Sequence, residues 1–529
     1  MKTRSILSFS TLLLLTIVIF SCNTYVNHSF RQSYSDVNEL IHSDTTKVPF
    51  FKVHFKNGDV SVLEKWDINK NKDTIIGQGK LYDFNRVQIE EGSLSFSVDE
   101  IAIVETNQLE AIKSRDRERI AALSVLTGAN VVLDVFCIAN PKACFGSCPT
   151  FYVDENSSIH SANAEGFSSS TSPCFEKKDL DPLQYNTSSK AFFLTMKNEA
   201  LETHMVNELS IEAVLKNKNE KVYVDKKNNY YKSNQLFRPT KATVGQKDIK
   251  SKISRLDDLE YFSTTDSTDL FAQEEIILEF DHLPKGEFGL TLNYRQTLLS
   301  TFLFYTGISY MGDEAADYVA KMETNGLMRQ IVQNQHDKFG RIKLSSWDSD
   351  NKEWKPIEEF DEKGPIAKNL ILAPIFNKNP QKDKLKIKLE LTKGLWRLDY
   401  IGLDLIDTIA NPIIIYPSEI EVIDGADYTI KDIKSDDKNY LISFPGNEFK
   451  FKFDLPETSN SQDYELFLSS KGYYLEWIRQ DWIKGKNIVK LNKMLMNDTQ
   501  TWTDLAKEFK TMEHEMETVF WNSKYSRIK

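Results

Sequence analysis

Apolar and polar positions alternate with a period of two along most of this chain, the pattern of strands with one buried face. FFKVHFKNGDVSVLEKW (50–66) alternates on both sides of Asn57-Gly58, a dipeptide suited to a tight hairpin turn. DTIIGQGKLYDFN and SLSFSVDEIAIVE continue the pattern and complete a small β-domain over 49–108. AFFLTMKN and HMVNELSIEAVLKN, joined through Asn198-Glu199-Ala200, and then KVYVD predict an immunoglobulin-like sandwich over 144–240. Farther on, EEIILEFDHLPKGEFGLTLNYRQ predicts a hairpin around Pro284-Lys285-Gly286. GRIKLSSWDSDNKEWKPIEEF and KLKIKLELTKGLWRLDYIGLDLI add strands within a unit at 266–425. NYLISFPGNEFKFKFDLP and DYELFLSS open a last unit at 426–529.

Elsewhere the period lengthens toward 3.6. Gln296 to Met322 reads as a helix breaking near Gly312, and the stretch from Tyr473 to Trp521 reads as helical. Residues 109–143 form a charged, then apolar, connector. GFSSSTSP at 166–173 reads as an exposed loop and 241–265 as a polar linker. The fold class is therefore mainly β and multidomain: a small barrel, then sandwich or jelly-roll units, with an inserted helix and a helical C-terminus.

The N-terminus carries a different signal. Lys2 and Arg4 precede an apolar core, Leu12 to Phe20, that is too short to span a bilayer. It ends in Ile19-Phe20-Ser21-Cys22, which resembles the lipobox of bacterial lipoproteins. That resemblance implies cleavage after residue 21, a lipid on Cys22, and a polar tether over 22–48. Within 121–139, Asn130 and Asp134 interrupt the apolar run and argue for a buried segment rather than a membrane span.

Charge narrows the partners. The net charge is −11, and loss of Lys2 and Arg4 with the signal takes it to −13. Such a balance disfavours nucleic acid and a polybasic grip on anionic lipid. NTYVNHSFRQ after Cys22 lacks the acidic cluster that resembles a surface-export signal in some bacterial lipoproteins, and that resemblance implies the periplasmic face of an outer membrane.

Four further cysteines, Cys137, Cys144, Cys148 and Cys174, fall within 38 residues. In an exported chain this predicts one or two local disulfides, with the connectivity open. Cys144-Phe-Gly-Ser-Cys148 is not the C-x-x-C redox spacing, and His160 is the only histidine near enough to suggest zinc. Asp67-x-Asn69-x-Asn71-x-Asp73 has the alternation of a calcium loop, but Lys72 and Gln78 stand where Gly and Glu are needed. Gly307-Ile308-Ser309-Tyr310-Met311-Gly312 lacks the spacing of a nucleophile elbow. The expectation is a chain with no catalytic residues, no metal and no cofactor.

Aromatic residues supply the remaining candidates. Trp347, Asp348 and Trp354 flank one polar turn and offer a stacking platform for a glycan. Trp477, Trp482, Trp502 and Trp521 crowd the last 53 residues and serve either as anchors for a protein partner or as a core cap.

Three resemblances extend this picture. The hairpins of 49–108 resemble SH3-like or Sm-like barrels. Leu398-Asp399-Tyr400-Ile401, with the strands before it, resembles the last strand of galactose-binding-like jelly rolls. NPKACFGSCPTFYV, LTMKNEALETH, RQTLLSTFLFY, TKGLWRLDYIGL and GYYLEW together resemble a family of large Bacteroidota-type envelope lipoproteins, which brings location and class but no activity. The resemblances imply a lipid-anchored subunit of an outer-membrane protein complex for assembly, secretion or uptake, or alternatively a carbohydrate-binding or carbohydrate-processing surface lipoprotein.

Overall fold

The computed structural model describes residues 25–33, 51–111 and 148–526, apart from breaks at 56–59, 70–73, 83–87, 154–159, 201, 258, 316–317, 320–321, 323–325, 362–363, 376–382, 425–427, 438, 444–446, 477–481, 483 and 524. The signal segment, Cys22, the run 121–139, Cys137, Cys144 and Trp477 lie outside the described residues. The chain is mainly β, with several sheets in a sandwich-like arrangement and a helical C-terminal region, as the alternation predicts.

The N-terminal sheet is antiparallel. Phe51–Phe55, Val60–Asn69, Thr74–Tyr82 and Gln88–Ser97 form a meander. Ile101–Ala111 then returns to pair with Phe51–Phe55. Phe51, Val53, Leu63, Ile75 and Leu94 fill its core, and Trp66 stacks on Phe51 with ring centroids 4.2 Å apart. Residues 25–33, expected to be tether, form instead the strand Tyr25–Ser33 beside Ile101–Ala111. Alternation is weak in that segment, and the long partner strand supplies the pairing.

Two sandwiches follow, one nested in the other. In the first, one sheet holds Lys177–Thr187, Gln462–Glu476, Glu202–Asn217 and Ile413–Ile415. The facing sheet holds Glu419–Asp424, Glu448–Asp454, Ala191–Lys197, Thr150–Val153 and Ala164–Glu165. Their inner faces share Phe151, Leu194, Met196, Leu209, Ile211, Phe451 and Leu466. Strands 191–197 and 202–217, joined through Asn198-Glu199-Ala200, lie in opposite sheets, and each finds its main partner about 250 residues away.

Between Asn217 and Ile413 the chain builds the second sandwich entire. One sheet runs Lys221–Val224, Tyr230–Phe237, Trp396–Ala410, Phe288–Gln296, Asn369–Ile375. The other runs Lys247–Asp248, Lys241–Val244, Gln273–Phe280, Leu385–Thr392, Ile342–Asp348, Glu353–Phe360. The linker expected over 241–265 thus contributes two strands to a sheet, and the sandwich expected over 144–240 closes only with residues 413–476. Period two marks a strand without naming its partner, which is why pairing across such distances escapes a local reading.

Helices cap the second core. Leu299–Met311 stops at Gly312, whose φ of 60° favours glycine and whose Cβ would fall 2.5 Å from Lys486 Cβ. Gly326–Phe339 was not expected as a separate helix. Ile488–Leu495 and Thr499–Ser523 match the helical C-terminus, but Tyr473 to Glu476 belong to a strand. The loop 166–173 is not exposed either: Phe167, Ser170 and Ser172 are buried, and Ser168 O accepts from Tyr474 Oη at 3.0 Å. Among the described residues, no helix is long and apolar enough to cross a membrane.

Candidate functional site

The hairpin of Ile342–Asp348 and Glu353–Phe360 sets Trp347 directly opposite Trp354. Their ring centroids are 5.3 Å apart at 66°, an edge-to-face pair. Trp347 keeps 37% of its surface open, while Trp354 is half-buried with Lys388 Nζ 5.4 Å from its ring centroid. Lys388 is itself held by Glu275 at 3.2 Å and Glu390 at 2.9 Å.

Asp348 has another occupation. Its Oδ1 accepts the Asp350 N–H at 2.9 Å, and its Oδ2 accepts Asn351 Nδ2 at 2.9 Å and Lys355 Nζ. The Lys355 bond, with the Asn351 and Asp350 donors behind it, holds the carboxyl well below the usual range. Asp348 shapes the turn, so the platform is the indole pair.

The C-terminal tryptophans divide differently. Trp482 is fully buried, and Trp502 is buried against Phe271 and Phe339 at 4.9 and 5.3 Å. Both line the second core and neither can anchor a partner; aromatic density cannot by itself separate core from surface. Trp521 lies on the helix Thr499–Ser523.

Of the four cysteines expected to form a staple, Cys137 and Cys144 lie outside the described residues, and only Cys148 and Cys174 can be placed. Among the described residues there is no disulfide. Buried Cys148 places Sγ 3.6 Å from Glu165 Oε1, and Cys174 Sγ lies 3.1 Å from Ser172 Oγ. Instead of a crosslink, Cys148 joins a buried polar cluster. Glu202 Oε2 accepts the Cys148 N–H at 2.8 Å and faces His204 Nε2 at 3.1 Å. Burial pushes the Cys148 thiol up, with Glu165 and Glu202 adding to the effect. Burial also lowers His204 to about 3, so its imidazole is neutral.

Glu165 carries the cluster across to the second sandwich. Its Oε2 accepts the N–H groups of Ile366 and Ala367, each at 2.7 Å. Arg295 Nη1 donates to Pro365 O at 3.0 Å in that same loop. The Arg295 guanidinium forms a two-pronged pair with Glu260, at 2.7 and 2.8 Å. Arg397 bonds Glu260 at 3.2 Å and Glu517 at 2.6 Å, and Glu517 Oε1 caps the Leu298 N–H at 2.8 Å. Adjacent turns of one helix thus contribute two buried carboxylates, because Glu513, one turn before Glu517, accepts the Thr265 N–H at 2.7 Å. Gly394 makes room there: a Cβ would meet Thr265 Cγ2 at 2.3 Å.

None of these seam residues was a sequence candidate. The available signal was a charge inside an apolar alternation, as in ALETHMV, LNYRQ and LWRLDY. Such a residue must be paired or face water. Among the described residues, no group of three or more His, Cys, Asp and Glu is arranged to hold a metal. In comparison with known proteins, no protein-family model matches the chain and no curated protein matches it.

Proposed function

We propose that the chain is a lipid-anchored envelope protein acting as a non-enzymatic structural or accessory subunit of an outer-membrane protein complex. The observation that carries this reading is the use made of buried charge. Glu165 joins sandwich to sandwich, the Arg397–Glu517 pair joins sandwich to helix, and Glu202 and Arg295 tie segments together within one sandwich each. Two nested sandwiches fastened in this way make a stiff body, as a scaffold requires. The lipobox-like Ile19-Phe20-Ser21-Cys22 supplies the anchor, and the acidic balance supports a protein partner over nucleic acid.

Acyl labelling and mild-detergent purification of the full chain test the reading together. Wild type should label, fractionate with membrane and bring down a stoichiometric membrane protein, and Cys22→Ala should lose the label and the membrane. An unlabelled wild type, or one that purifies alone, overturns it.

A second reading is a glycan-binding surface lipoprotein, supported by the open ring of Trp347 beside Trp354. Trp347→Ala should then abolish retention on a glycan array while leaving the melting temperature nearly unchanged. Equal retention by both chains removes the platform.

A further inference from the structure

The seam between the sandwiches is closed by a carboxyl that, among the described residues, has no cation bonded to it. Glu165 projects from the short strand Ala164–Glu165 of the first sandwich and reaches the 364–367 loop of the second. Its Oε2 is occupied by two N–H donors and its Oε1 faces Cys148 Sγ. Arg295, whose charge acts on Glu165, is committed to Glu260 through two bonds. Gly364, with φ of 92°, lets the loop pass close: a Cβ there would sit 3.0 Å from Glu165 Oε2. A second stitch runs alongside, from Asn293 Nδ2 to Gln184 Oε1 and from Gln184 Nε2 to Lys368 O.

We propose that Glu165 is a proton-operated latch between the two sandwiches, locking the seam when neutral and releasing the 364–367 loop when it loses that proton. In the locked state Oε2 accepts the two N–H groups and Oε1 accepts the Cys148 thiol at 3.6 Å, and the carboxyl keeps its own proton on Oε1, the less engaged oxygen. The groups facing this carboxyl agree with a neutral form. From the segment before Thr150–Val153 comes the Cys148 thiol, itself protonated. From Glu202–Asn217 comes Glu202, which takes the Cys148 N–H and faces neutral His204; from Lys177–Thr187 comes Asp181, which also raises the thiol. From Phe288–Gln296 comes Arg295, an opposing charge. The loop itself presents only backbone N–H groups.

Burial raises Glu165 to about 8, against the pull of the two N–H donors, Cys148 and Arg295. Once released into water the carboxyl returns to its ordinary value of 4.5. Between those values the closed seam keeps a proton that the open seam has lost. Opening therefore becomes easier as pH rises from about 4.5 to about 8, by roughly tenfold per pH unit for one proton, and levels off above.

Amide hydrogen exchange on the full chain tests this, with protection at Ile366 and Ala367 corrected for the intrinsic rate and referenced to Leu290 and Leu292. From about pH 5.5 to about pH 7.5, protection at the loop should fall on the order of a hundredfold, while the reference strand holds. Glu165→Gln, which keeps the neutral shape, should stay protected throughout. Protection in wild type that does not change with pH overturns the latch, as does a glutamine variant that loses protection as wild type does. If the glutamine chain fails to fold, Glu165→Asp replaces it. The shorter carboxyl cannot reach both partners, so low protection independent of pH is expected, and a wild-type pH step there overturns the proposal.

Discussion

The indole of Trp482 lies against the ring of Tyr305, centroids 4.9 Å apart and tilted by 43°, with both side chains fully buried. Tyr305 belongs to the helix Leu299–Met311, so this contact fastens the C-terminal segment onto the second core. A buried aromatic of this size leaves a cavity when truncated. Trp482→Ala and Trp502→Ala should each cost about 3–5 kcal/mol, read as a lower denaturation midpoint. Trp347→Ala, at an open surface, should cost far less. Equal losses at the three positions would contradict this placement.

Glu517 and Arg397 make a buried pair at 2.6 Å, with Glu260 on the far side of the guanidinium. Removing one partner strands a charge in a dry site, so Glu517→Ala should destabilise by about 3–5 kcal/mol. The Leu298 N–H loses its acceptor as well. Replacing Glu517 and Arg397 together should cost less than the sum of the two single changes. A double-mutant cycle by chemical denaturation measures this, and simple additivity would show that the pair is not coupled.

The existence and polarity of elements were legible in the alternation, and the nesting was not. FKFKFDL announces a strand at 448–454, yet nothing near it says that its neighbour is Ala191–Lys197. Burial of aromatic residues failed for a related reason: Trp347 and Trp482 both sit in mixed apolar and charged sequence, and only the tertiary partner separates an open hairpin tip from a sealed core. The candidate platform was half legible, since Trp347 and Trp354 do meet, while Asp348 is consumed by its own turn. The seam was invisible because its charges satisfy one another across residues 165 to 517, farther apart than any local pattern extends.

Cys148 offers a check on the expected staple. Its thiol is buried, its φ is 71°, and its N–H is bound to Glu202. Under native conditions it should resist alkylation, and after denaturation without reductant it should be alkylated fully. Cys174, half-buried, should react earlier. Mass mapping of the two peptides gives both rates. Failure to alkylate Cys148 after denaturation would mean that a disulfide holds it.

His204 predicts an acid limit to stability. Its imidazole is sealed beside Glu202 and edge-on to Tyr474, with ring centroids 6.4 Å apart, and burial lowers it from 6.5 to about 3. The native chain therefore refuses a proton that the unfolded chain accepts at any pH below 6.5. Stability contributed by this site is present above pH 6.5 and is lost as pH falls from there toward 3, at up to about 1.4 kcal/mol per unit. Glu165 works in the opposite sense, losing stability as pH rises from 4.5 to about 8. The two slopes oppose each other between pH 4.5 and 6.5, so the stability from these two sites should be level there and fall away on either side. His204→Gln removes only the acid limb: denaturation midpoints at about pH 7 and about pH 5 should lie close together in wild type, where the two slopes oppose, and should separate in the variant, with pH 5 the more stable. An acid limb of the same steepness in both chains would assign it to other groups.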